Sequence, residues 1–180
     1  MPRNTALAMG LAVLGATLAL PGHAAAVEHE NQLGLELGVP MLVVQNSNTS
    51  PLTGAGLGLH YTYGFSDAIN LVADAGAATL FGASSLATVS HVDLGLAYVL
   101  DVLQWVPWGA AEIGGYALTG NPVGGTQVLP GFALAVGLDY RFSRTWAAGI
   151  VLRQHMLFTD LSVFPSYTEG LIRFGYTWGW

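Results

Sequence analysis

Cysteine is absent from this 180-residue chain, and so is lysine: the five basic residues are all Arg. Without Cys the chain has no disulfide scaffold, no thiolate zinc centre and no acylated lipoprotein anchor. Charge is scarce as well. Asp, Glu, Lys and Arg make up 9% of the residues, where a soluble domain carries about 25%. The net charge of -6 leaves no cationic surface for nucleic acid. Disorder is excluded from the other side, because 52% of the residues are hydrophobic. Beyond the first 26 residues there is also no helix-compatible apolar run. The longest uncharged stretch, Ile113 to Leu138, is broken by Gly114-Gly115, Asn121-Pro122, Gly124-Gly125 and Pro130-Gly131.

What is present begins with an address. Arg3 and the amino terminus form a short positive region, and Ala6 to Leu20 is an uncharged apolar run. Pro21-Gly22 ends that run, and Ala24-Ala25-Ala26 offers small residues to a signal peptidase. Residues 1–26 are therefore expected to be a cleaved Sec-type signal peptide, and residues 27–180 the exported domain. That domain carries four Arg against eleven Asp and Glu.

Its dominant period is two. Large apolar residues alternate with small or polar ones in Gly56-Leu57-Gly58-Leu59-His60-Tyr61, in Phe132 to Phe142, and in Leu171 to Trp180. Alternation of this kind is a strand signature. Eight strands are expected, near 31–44, 53–64, 69–81, 89–100, 106–119, 130–142, 145–158 and 168–180. Each is long enough to cross a bilayer when tilted. Short connectors at 65–68, 101–105 and 142–145 alternate with longer ones at 45–52, 82–88, 120–129 and 159–167. The fold class that follows is all-β: a closed eight-stranded antiparallel transmembrane barrel, with short turns on the periplasmic side.

Parity then sorts the side chains. If the bulky apolar residues meet lipid, Glu36, Asp74, Asp93, Glu112, Asp139, Arg141, Arg153, Glu169 and Arg173 point into the lumen. His60, His91 and His155 share that parity. Arg141, Arg153 and Arg173 lie on consecutive strands, so they are expected to cluster and bridge carboxylates, with Glu36 brought in where strand one closes on strand eight. Inward Gly residues at 34, 38, 56, 58, 76, 95, 137, 149 and 175 are expected to leave room for the long Arg side chains and for water. Twelve aromatic residues, among them Tyr61, Tyr98, Trp105, Trp108, Tyr140, Trp146 and Trp178, are expected at the short-turn ends. Phe81, Tyr116, Phe158 and Tyr167 are expected near the other rim. Rings of this kind form interfacial girdles.

With its signal segment, its G-x-G-x alternation (Gly56, Gly58, Gly95, Gly137) and its terminal strand Phe174-Gly175-Tyr176-Thr177-Trp178-Gly179-Trp180, the chain resembles the small eight-stranded outer-membrane barrels. That group includes the outer membrane protein A transmembrane domain and its X- and W-type relatives. The resemblance implies a location in the cell outer membrane. It also implies contact with outer-membrane lipids and lipopolysaccharide, and with the barrel-assembly machinery and periplasmic chaperones during biogenesis. Phe174, Tyr176, Trp178 and Trp180 resemble the assembly signal of such barrels. A structural or envelope-integrity role is expected, with a narrow porin-like channel as the alternative.

A lipid A-modifying enzyme ranks behind both. The deacylase-type pattern of His-x-Ser is missing at His155-Met156-Leu157, and Ser90 and His91 must face opposite sides of one strand. No catalytic residue, cofactor or metal centre is therefore expected. The histidines lack ligand spacing, so only convergence in space would make them ligands. The longer connectors contain Asp160 and no Arg, so they lack a cationic cluster for phosphate groups.

Overall fold

The computed structural model describes residues 29–43, 51–82, 86–100, 104–120, 125–158 and 166–179, with the backbone alone at 43 and 166. The expected signal segment, Trp180 and most of the longer connectors lie outside the described residues. Eight strands run in chain order: β1 (Asn31–Val43), β2 (Leu52–Gly64), β3 (Ile69–Phe81), β4 (Leu86–Val99), β5 (Trp105–Gly120), β6 (Gly125–Arg141), β7 (Trp146–Leu157) and β8 (Ser166–Trp178). Each pairs antiparallel with the next, and β1 pairs with β8, giving a closed barrel with no free edge. Closure sets Glu36 of β1 directly opposite Arg173 of β8. Among the described residues no helix is long and apolar enough to cross a membrane.

Alternation sorts the two faces as the sequence implies. On the outside, Leu35, Leu59, Leu94, Ile113, Val136, Ile150 and Ile172 stand exposed. Among the described residues, no strand places an Asp, Glu, Lys or Arg on this outward parity. A soluble protein does not leave so continuous an apolar surface in water, whereas hydrocarbon solvates it. The charged side chains are inside: Glu36, Asp74, Asp93, Glu112, Asp139, Arg153, Glu169 and Arg173 are all buried.

Strand ends differ from expectation most at β6. It starts at Gly125 rather than near 130, so residues 125–129, expected in a loop, continue the strand, with Gly120 paired to Gly125. Thr119 and Thr126 face each other there with hydroxyls 3.2 Å apart. Cross-strand pairing therefore extends the ladder through residues whose Gly and Pro content reads as loop. β4 likewise starts at Leu86, inside the expected connector over 82–88.

Two of the short turns are closed by Ser side chains. Ser66 Oγ accepts from Ile69 N at 3.1 Å, and Ser143 Oγ accepts from Trp146 N at 3.0 Å. At this end an outward aromatic girdle forms: Trp105 lies 4.7 Å from Tyr140, and Trp146 lies 5.0 Å from Phe174 and 4.9 Å from Tyr176 between ring centres. Three rings expected in the girdles belong elsewhere. Trp108, Tyr116 and Tyr167 point inward and are buried. Trp108 and Tyr116 share the parity of Glu112, and Tyr167 that of Glu169. Each ring has a polar tip, and the lumen carboxylates accept its hydrogen bond.

Candidate functional site: the charged lumen

Inward side chains stack in tiers along the barrel. Nearest the short turns, Trp108 of β5 donates from Nε1 to Asp139 Oδ2 of β6 at 2.9 Å. The Arg173 guanidinium lies over the same indole, 4.5 Å from its ring centre, and His60 stacks on the ring at 5.9 Å. This is an amphipathic wall: a cation on the π face and a carboxylate on the N–H edge. Gly137, beside Trp108, provides the space, since a Cβ there would fall 2.4 Å from the indole ring.

The middle tier is an ion cluster. Arg153 of β7 donates from Nη1 to Glu36 Oε2 at 2.9 Å and from Nη2 to Asp74 Oδ1 at 2.7 Å. Arg173 donates to Glu36 Oε1 from Nε at 2.8 Å and from Nη2 at 2.5 Å. His60 Nδ1 lies 2.7 Å from Asp74 Oδ1. Two guanidinium forks thus hold carboxylates from β1 and β3 across the lumen, as their planar donor geometry allows. Glu112 is buried here too, and neither of its oxygens has a hydrogen-bond donor facing it.

A third tier lies toward the longer connectors. Tyr116 OH donates to Asp93 Oδ1 at 2.6 Å and lies 2.9 Å from His155 Nδ1. His155 Nε2 lies 3.2 Å from Glu169 Oε2, and Tyr167 OH donates to Glu169 Oε1. His91 packs on His155 with ring centres 4.8 Å apart. Above this tier, Leu42, Leu52, Leu80, Leu118 and Leu157 close the end of the lumen as an apolar cap. At the opposite end a small vestibule of about 30 Å³ is lined by residues including Gln32, Asn70, Val99, Asp139 and Thr177. It has room for a few waters.

The expected lumen residues are therefore brought together, with one exception. Arg141 does not join Arg153 and Arg173. It sits at the barrel mouth, part-exposed, with Nη2 3.4 Å from Glu30 Oε2. All three Arg share one parity, but Arg141 closes β6 at the short-turn end, too far along the axis to reach Glu36. The room beside the inward glycines is taken by an Arg side chain at Gly34, as expected, and by other side chains at Gly76, Gly137 and Gly149. Arg173 Cγ lies 3.2 Å from where a Gly34 Cβ would be, and His91 Cε1 lies 2.5 Å from that of Gly76. Ser90 and His91 do face opposite ways: Ser90 lies on the outward parity, while His91 is buried in the lumen. Phe174, Tyr176 and Trp178 line the outward face of β8.

Sequence reasoning did not find the roles of Trp108, Tyr116 and Tyr167. The available signal was their parity, shared with neighbouring carboxylates.

This architecture is that of the small eight-stranded outer-membrane barrels. Neisserial surface protein A superposes with a TM-score of 0.70 at 11% identity, over 83% of this chain and 99% of that one. The attachment invasion locus protein Ail of Yersinia pestis gives 0.60 at 12%, over 84% and 99%. The outer membrane protein OprG of Pseudomonas aeruginosa gives 0.56 at 14%, over 85% and 98%. No protein-family model matches the chain, and no curated protein matches it in sequence.

Proposed function

We propose that this protein is an outer-membrane barrel with a structural, envelope-integrity role, whose lumen is a charge-paired plug rather than a conduit. The location rests on the uncharged apolar exterior, the aromatic girdle and the fold shared with outer-membrane proteins. The observation that carries the plug reading is the filling of the lumen. Arg153 and Arg173 in the centre, and Tyr116, Tyr167, Leu80 and Leu157 toward the longer connectors, are each no more than 2% exposed. An eight-stranded barrel has just enough interior for its own side chains, and here those side chains are bonded to one another across the axis.

Ail has been solved in complex with a sulfated heparin analogue. The longer connectors of this chain contain no Arg or Lys, so a sulfated-sugar surface does not carry over.

Reconstitution in planar bilayers tests the proposal. The wild-type protein is expected to give no steady openings. Steady unitary currents that change with Arg153→Ala or Glu36→Ala would replace the plug with the narrow channel. Fractionation of the cell envelope checks the location, with the protein expected in the outer membrane and showing heat-modifiable migration on gels.

A further inference from the structure

Two clusters in the lumen bring three metal-capable side chains together: Glu36, His60 and Asp74, and His91, His155 and Glu169, each offering ligand atoms within 4.8 Å of one another. They differ in what already neutralises them. In the first, Arg153 and Arg173 occupy both carboxylates with hydrogen bonds of 2.5–2.9 Å. In the second, the nearest guanidinium atom is Arg153 Nη1, 3.9 Å from Glu169 Oε2.

The second cluster is also short of a positive charge by hydrogen-bond count. Asp93, Tyr116, His155 and Glu169 form a chain of three contacts, at 2.6, 2.9 and 3.2 Å. A phenol supplies one hydrogen, a neutral imidazole one, and ionised carboxylates none. If Tyr116 donates to Asp93, then His155 donates from Nδ1 and its Nε2 meets Glu169 with no hydrogen between them. If Tyr116 donates to His155, the bare contact moves to Asp93. Either way one contact lacks a hydrogen, a gap that a proton or a metal ion can fill. Two further buried atoms lack partners: Asp93 Oδ2 and His91 Nδ1. The orphan Asp93 oxygen lies 3.8 Å from His155 Nδ1 and 3.9 Å from His91 Nε2, aimed between the two imidazoles.

From this geometry we infer that His91, His155 and Glu169 form a binding site for one divalent transition-metal ion, with Asp93, linked through Tyr116 to His155 Nδ1, fixing the tautomer that leaves Nε2 free for the ion. Imidazole nitrogen with carboxylate oxygen is the donor set of Zn²⁺ and its first-row neighbours, not of Mg²⁺ or Ca²⁺. Glu169 as a ligand and Asp93 nearby offset the two charges of the ion. The ligands come from β4, β7 and β8, so the ion ties together strands that are not all adjacent. His91 and His155 are 4% and 0% exposed beneath the apolar cap, so the ion enters as the barrel closes and leaves slowly afterwards.

The test uses tag-free protein, unfolded in urea and refolded into detergent micelles with Zn²⁺ or Co²⁺. It is then stripped with excess chelator and analysed for bound metal. Wild type is expected to keep about one ion per chain. His91→Gln and His155→Gln are expected to lower retention by about tenfold or more. His60→Gln and the exposed-site control His29→Gln are expected to leave it unchanged.

The Co²⁺ form is expected to show the strong visible absorption of a four- or five-coordinate nitrogen and oxygen site. Heat-modifiable migration reports whether each variant has closed its barrel, and where one has not, the wild-type Co²⁺ spectrum decides. The inference is overturned in any of four cases: wild type retains no ion, so that a proton fills the gap; His91→Gln retains as much as wild type; the His60 or His29 variant loses it; or the Co²⁺ spectrum is the weak one of a six-coordinate hydrated ion.

Discussion

Arg153 and Glu36 are 117 residues apart in the chain and 2.9 Å apart in the lumen, joined across the barrel from β7 to β1. The same guanidinium reaches Asp74 on β3, so one side chain spans three strands that share no edge with one another. Replacing it leaves two buried carboxylates facing each other. Arg153→Met is expected to destabilise the barrel by about 3–5 kcal/mol, the cost of uncovering a buried charge. Adding Glu36→Gln to that variant is expected to restore part of the loss. Denaturant unfolding in lipid vesicles, run as a double-mutant cycle, measures the coupling, and strict additivity would contradict the bridge.

Glu112 offers the opposite case. Its carboxyl is 2% exposed and no donor faces either oxygen. Glu112→Gln keeps the shape and adds an amide that can donate to a neighbouring carboxylate. The variant is expected to be neutral or more stable by about 1–3 kcal/mol, since an unsatisfied buried acceptor carries that order of penalty. The same unfolding assay reads the result. A loss of stability would show that Glu112 has a partner that matters.

Orientation of the tryptophans can be read by fluorescence. Trp105, Trp146 and Trp178 are outward and exposed, while Trp108 is inward and bonded to Asp139. In vesicles containing brominated lipid, single-tryptophan variants at 105, 146 and 178 are expected to be quenched strongly, and the variant retaining Trp108 only weakly. Gly137→Ala forces a Cβ against the Trp108 indole. It is expected to shift that tryptophan's emission and to cost about 1–3 kcal/mol through overpacking.

These contrasts also show what the sequence carries and what it does not. Period-two alternation specifies the strands and, with the charges, which face meets lipid, because a one-residue slip would place Arg153 or Arg173 outside. Height along the barrel is not written in that alternation. Arg141 shares parity with the other two Arg residues yet ends at the mouth with Glu30. Trp108 and Tyr167 lie near strand ends, where rings gather, yet turn inward to carboxylates that were visible only as neighbours of the same parity. Convergence of His91 on β4 with His155 on β7 depends on the barrel's diameter and on strand stagger, and neither leaves a local mark in the sequence. The β5–β6 hairpin extends past its expected end because pairing partners, rather than residue propensity, decide where a ladder stops.

Two closures stand in series along the lumen, the ion cluster of Arg153 and Arg173 and the apolar cap of Leu42, Leu80 and Leu157. If each seals the barrel on its own, breaking one leaves it shut. Leu80→Ala is expected to cost about 2–5 kcal/mol through the cavity it leaves, yet to remain silent in planar bilayers because the guanidinium tier still blocks the axis. Combining Leu80→Ala with Arg153→Ala removes bulk from both tiers and is expected to produce measurable leak currents. Openings in the Leu80→Ala protein alone would mean that the charged tier rearranges readily, and that the cap is the true barrier.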